Sequence, residues 1–151
     1  MDTNELEIYL KSDFQISKYY GGVVPKDFLP LKPVRPSFYI VNQDTSDKAG
    51  SHWIVVFLNE NKDELTEYFD PLGKKPDTDF KNYLTIQSDR YLYNEQRCQN
   101  YMSNLCGQYC LLYCYFRARG HTMQSILNMF EKNNLFYNDH LVYYFYEYTK
   151  L

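Results

Sequence analysis

Three short stretches rich in β-branched and aromatic residues crowd the middle of the chain, and they limit its fold more than any other feature. Residues 37–42 (SFYIVN), 52–58 (HWIVVFL) and 65–70 (LTEYFD) are each bounded by turn formers and read as β-strands. Residues 59–62 (NENK) join the second and third as a hairpin. Beyond Asn104 the pattern changes to helix: residues 106–119 ended by Gly120, then a helix over about 122–132 and another over about 138–149. Ahead of the strands, residues 4–12 read as a short amphipathic helix with Leu6, Tyr9 and Leu10 on one face. Gly21–Gly22 and the four prolines between 25 and 36 predict an irregular segment there. Residues 77–87 read as a weaker helix and 91–94 as one more strand. The expected class is α+β, a central, mostly antiparallel sheet packed on helices, in a single domain over residues 1–151.

At 151 residues the chain can bury a real core without disulfides or metals. Its 17 Tyr and 10 Phe bring large buried area with polar tips, which suits such a core. Sixteen Lys and Arg stand against 19 Asp and Glu, and this net charge of −3 gives no general attraction for DNA or an anionic membrane. DNA is therefore expected to act weakly at most, and no membrane partner is expected. The first residues, MDTNELEIYLKSDFQ, have no continuous apolar stretch, so no signal peptide is predicted. The longest apolar runs, 54–58 and 110–116, are too short to span a bilayer. The expectation is a soluble protein of a reducing compartment whose four cysteines remain thiols.

Of three histidines, only His52 opens a predicted strand beside a Gly-Ser turn, where an imidazole can face a cleft. Asp70 ends the hairpin partner, and strands of nearly equal length place the two side by side. A carboxylate there fixes the imidazole tautomer and stabilises its charged form; the alternative is an ordinary strand-edge ion pair. Cys106, in NLCGQYC, begins the longest helix, where the positive end of the dipole raises the thiolate fraction. Gly107 leaves room for a substrate backbone, and the Cys106 N–H can face a developing oxyanion. Gln99, seven residues upstream, is a second oxyanion donor, or else a loop glutamine. Cys110 and Cys114 lie further along the helix and read as small buried hydrophobes.

GSHWIVVFLN, then EYFDPLG, then Gln99 and NLCGQYC, in the order His, acid, Gln, Cys, resemble the adenovirus-type cysteine proteases. This is the adenain branch of the clan that includes the SUMO and ubiquitin-like proteases. Upstream, DFQISKYYGGVVPKDFLP and FYIVNQDTSDKAGSHW are similar to the segment leading to that family's catalytic histidine, so the likeness spans residues 8–120. The resemblance implies the fold of these proteases, with His52 as general base, Asp70 as orienting acid, Cys106 as nucleophile and Gln99 as oxyanion donor. It implies a cysteine endopeptidase without a cofactor or metal, cutting viral capsid or core precursor proteins at glycine-containing sites, the substrate strand passing Trp53. Such an enzyme works in the virion and the infected host cell.

Two departures mark this chain. Adenoviral enzymes carry Glu where it has Asp70, as the ubiquitin-like branch does, and it lacks most of their C-terminal helical region. Two other readings follow: a peptidase that removes SUMO or ubiquitin-like modifiers, and a non-enzymatic zinc-binding interaction module using Cys98, Cys106, Cys110 and Cys114. The C-x3-C-x3-C run has helical spacing, unlike the knuckles of structural zinc sites. Adenoviral proteases are stimulated by a peptide joined through a disulfide upstream of the nucleophile. Here that offset falls on Ser88, and the nearest cysteine is Cys98, so any activating peptide is expected to bind without a disulfide.

Overall fold

In the computed structural model, residues 1–61 and 63–150 are described; Lys62, in the turn expected at 59–62, and Leu151 lie outside the described residues. Five strands form one sheet: β1 (Tyr20–Pro25), β2 (Ser37–Asn42), β3 (Trp53–Leu58), β4 (Thr66–Phe69) and β5 (Tyr91–Tyr93), arranged in that order. Six α-helices accompany them: α1 (Thr3–Ser12), α2 (Phe14–Ser17), α3 (Thr78–Gln87), α4 (Cys106–Ala118), α5 (Met123–Leu127) and α6 (Leu135–Thr149). The α+β class is as expected.

The sheet is more mixed than expected, because only the β2–β3 and β3–β4 pairs are antiparallel. β1–β2 and β4–β5 are parallel, and α3 forms the crossover between the second pair. β1 also occupies part of the segment expected to be irregular. Its glycines conceal it: a Cβ on Gly21 would lie 2.6 Å from the Phe38 carbonyl oxygen and from the Tyr39 ring, so only glycine lets β1 lie this close to β2. The register shifts at this point, between Tyr20 and Gly22.

Both faces of the sheet are buried. Phe38, Ile40, Val55, Phe57 and Phe69 pack with α1, α4 and α6 on one side. Tyr39, Val41, Ile54, Val56, Leu58 and Tyr68 pack with Phe80, Tyr83 and Leu84 of α3 on the other. A strand covered on both sides needs apolar residues at every position, which is why β3 reads WIVVFL without alternation. Each such side chain contributes about 1.5–3 kcal/mol through burial.

α4 crosses the first face and is tied to β4 by charge. Arg117 Nη2 donates to Glu67 Oε2 at 2.9 Å, its Nε reaches both carboxylate oxygens, and the Tyr113 hydroxyl donates to Glu67 as well. α4 ends one residue early, at Ala118, followed by Gly120 in the left-handed region. α5 is shorter than expected. α6 starts three residues earlier than expected because Asn134 caps it by accepting the Tyr137 N–H.

Candidate active site

Antiparallel pairing of β3 with β4, in the register Val55 opposite Phe69, brings the start of one strand beside the end of the other. His52 precedes β3, Asp70 follows β4, and His52 Nε2 lies 2.6 Å from Asp70 Oδ1. Both are buried, Asp70 completely. Asp70 Oδ1 also accepts the Leu72 N–H at 2.9 Å, while Oδ2 has no hydrogen-bond partner.

Cys106 is the first residue of α4. Among the described residues the other five α-helices are capped by the residue that precedes them, Asp2, Asp13, Asp77, Thr122 and Asn134, each of whose side chains accepts a main-chain N–H of its helix. α4 is preceded by Leu105, whose side chain makes no such bond. Its first N–H groups are thereby left for the sulfur and for whatever approaches it. Burial raises the Cys106 pKa, but hydrogen bonds from His52 and from the Trp53 and Gly107 main chains, with the charge of His52, outweigh it and leave the thiol below its ordinary value. Burial likewise depresses His52, yet hydrogen bonds to Asp70 and Cys106 and their charges prevail and push it up to about 9. Nε2 is engaged by Asp70, so Nδ1 is the ring nitrogen left for the sulfur. The arrangement favours a thiolate beside an imidazolium. Burial holds Cys98, Cys110 and Cys114 as thiols, with their pKa values raised. Among the described residues no group of three or more His, Cys, Asp or Glu is placed to hold a metal ion.

Gln99 is buried. Its Nε2 donates to the Ser103 carbonyl at 3.0 Å and lies 3.2 Å from Ser103 Oγ, and its Oε1 has no partner. Its main chain is pinned from several sides: the Cys98 and Gln99 N–H groups donate to the Pro71 carbonyl, and the Cys98 carbonyl accepts from Tyr109 Oη and Asn138 Nδ2.

A cavity of about 500 Å³ opens beside the cysteine, lined by His52, Trp53, Asn104 and Cys106, by the β2–β3 loop, and by Met1, Asp2 and Thr3. Gln99 does not line it. Trp53 is half-buried, and its Nε1 donates to the Met1 carbonyl at 3.1 Å. Gly107 is buried, and Met1 and Leu6 side-chain atoms would lie 3.1–3.4 Å from a Cβ added there, so the N-terminal segment packs against this glycine.

Sequence reasoning missed three contributors: the Trp53 N–H to the sulfur, the Met1 carbonyl on the indole, and Asn94. Asn94 is buried at the end of β5, with Oδ1 accepting the Asp70 N–H at 2.9 Å and Nδ2 donating to the Asp70 carbonyl at 2.7 Å. A lone polar residue at a strand end was the only signal for it in the sequence.

No family model matches the sequence, and no curated protein matches it. Among solved structures, the chain is similar to the ASFV pS273R protease at 14% identity, with a TM-score of 0.59, over 87% of this chain and 63% of that one. The same protease as its Se-Met form aligns at 21% identity and TM-score 0.50, over 71% of this chain and 44% of the other. The central domain of the Lpg1148 protein from Legionella pneumophila aligns at 13% identity and TM-score 0.52, covering 99% and 98% of the two chains. The chain thus spans less than two thirds of the protease's length. What these likenesses establish is the fold, a five-stranded α+β architecture shared with the ASFV pS273R protease.

Proposed function

We propose that the chain is a cysteine endopeptidase in which Cys106 is the nucleophile, His52 the general base and acid, Asp70 the orienting carboxylate and Gln99 an oxyanion donor. The observation that carries this reading is the line that runs from the buried Asp70–His52 pair to the half-buried Cys106 at the uncapped start of α4, with His52 and Cys106 lining one cavity. The fold shared with a solved protease supports it.

The Cys106 thiolate attacks the scissile carbonyl carbon, and the oxyanion is met by the Cys106 N–H and by the Gln99 amide once that amide exchanges its bond to Ser103 for one to substrate. Imidazolium at His52 gives its proton to the leaving amine. Water then hydrolyses the thioester, His52 taking its proton, and free Cys106 returns. The substrate strand lies in the cavity beside Trp53. By resemblance to the adenain-type enzymes, the substrates are viral capsid or core precursor proteins cut at glycine-containing sites, in the virion and the infected cell. Asp at position 70, which the ubiquitin-like branch also carries, does not decide between this reading and a second one, removal of ubiquitin-like modifiers by the same chemistry.

Incubation of the protein with candidate precursor polypeptides, and separately with modifier conjugates ending in Gly-Gly, followed by mass spectrometry, tests both. Cleavage of precursors that is lost in Cys106→Ala supports the first; cleavage only after Gly-Gly supports the second. No cleavage of either, with no selective alkylation of Cys106, overturns the peptidase reading.

A further inference from the structure

β5 runs parallel to β4 through three pairs, the last being Tyr68 with Tyr93, and then its main chain turns away. The Asn94 side chain takes over where the ladder stops. Its amide meets the N–H and the C=O of Asp70 as a neighbouring strand would, and Nδ2 also donates to the Gln96 carbonyl at 3.0 Å. Contacts continue beyond it. The Pro71 carbonyl accepts from Cys98 N–H at 2.9 Å and Gln99 N–H at 3.0 Å, and Arg97 Nε donates to the Leu72 carbonyl at 3.2 Å. Gly73, at φ +71°, lies so close that an added Cβ would be 2.8 Å from the Arg97 nitrogen. The turn 70–73 and the segment 94–99 are joined along their whole length, one carrying the acid and the other the amide.

We propose that Asn94 is a positioning residue for the Asp70–His52 pair, and that this seam sets Asp70 and Gln99 as one unit. The inference rests on the peptidase reading above and deepens it. A side chain that bonds both main-chain groups of one residue fixes the direction in which that residue's carboxylate leaves the backbone. Asp70 Oδ1 must meet an imidazole whose position is fixed separately by β3, so a small rotation at Asp70 breaks the 2.6 Å contact. Without Asn94 the Asp70 N–H is also left unpaired in a buried site. His52 is faced by Asp70 and Cys106; the other titratable groups that feel Asp70 are Tyr68, Cys98 and Cys110, all held neutral by burial.

The test compares wild type, Asn94→Ala, Arg97→Met and Leu84→Ala, the last weakening the far core without touching the seam. Two readouts are taken: peptide hydrolysis against pH, and the pH dependence of Cys106 alkylation by iodoacetamide, which needs no knowledge of the substrate. Asn94→Ala is expected to lower kcat about tenfold or more with KM within about twofold, and to move the alkaline limb down by about one pH unit. Arg97→Met, on the half-buried rim, is expected to shift both in the same direction by less. Leu84→Ala should lower Tm and leave the limb in place. An unmoved limb and kcat in folded Asn94→Ala, or in Arg97→Met where Asn94→Ala does not fold, overturns the inference. A wild type whose Cys106 alkylates at neutral pH no faster than a free thiol overturns the peptidase reading instead.

Discussion

His52 and Asp70 meet at 2.6 Å although they leave the ends of different strands, and each is set from the far side of the contact: His52 by the start of β3, Asp70 by the Leu72 main-chain N–H and the Asn94 side-chain amide. His52 lies immediately before β3 and Asp70 immediately after β4, so the ends of two paired strands carry the contact.

Replacing Asp70 with Asn removes the negative partner of the imidazolium. His52 is raised to about 9 by its partners. The active form, thiolate beside imidazolium, is present below that value and is lost as pH rises through it. In Asp70→Asn the alkaline limb of kcat/KM therefore falls toward the ordinary histidine value of about 6.5. The loss of kcat should be smaller than the roughly 10⁴-fold seen for the same change in a serine triad, since the thiolate is already formed. Full pH–rate profiles check both.

Cys106→Ala is expected to abolish hydrolysis with Tm nearly unchanged. Cys110→Ala and Cys114→Ala keep the activity and cost about 1 kcal/mol each, since they delete buried atoms from the core under the sheet. Iodoacetamide labelling mapped by mass spectrometry should find Cys106 first.

Gln99→Ala should lower kcat about 10²–10³-fold with little change in KM, the usual loss for one oxyanion donor. A loss of only a few-fold would leave Gln99 as a residue that merely braces Ser103. Steady-state kinetics on one peptide substrate decides.

Arg117→Met leaves Glu67 buried without its cation. A loss of about 3–5 kcal/mol in urea unfolding is expected, with kcat of the folded fraction retained.

Activation through a disulfide is not expected. Cys98 is fully buried, and Ser88, at the alternative offset, is occupied with Thr66 and Arg90. Activity should persist in reductant and in Cys98→Ser, and added DNA should change the rate little. Strong stimulation by DNA, or inactivity in reductant, would overturn this.

Much of this was legible in the sequence because it is written in local patterns. HWIVVFL and TEYF show their strands by residue type, and Asp77 with the run that follows shows α3. His52, Asp70 and Cys106 could be singled out because each sits at the end of such an element, where direction can be reasoned from counting. β1 was missed because its evidence is an absence: two glycines weaken a strand signal while permitting the close approach that the strand requires. Gly107 presents a related case. A missing side chain says that something comes near, and only the fold says that it is Met1. Asn94 was invisible because its role lies in bonds to the main chain of a residue 24 positions away.

The strand order of the sheet follows the order of the chain from β1 to β5. Synthesis from the N-terminus can thus complete the sheet, with imidazole and carboxylate already neighbours, before Cys106 is translated. Until α4 follows, the face bearing Phe38, Ile40, Val55, Phe57 and Phe69 has only the short helices α1 and α2 to cover it. The helix that delivers the Cys106 thiol therefore also closes much of the core, and a nascent chain halted just short of Cys106 leaves that apolar face partly open. Reactivity and solubility arrive together, in one helix.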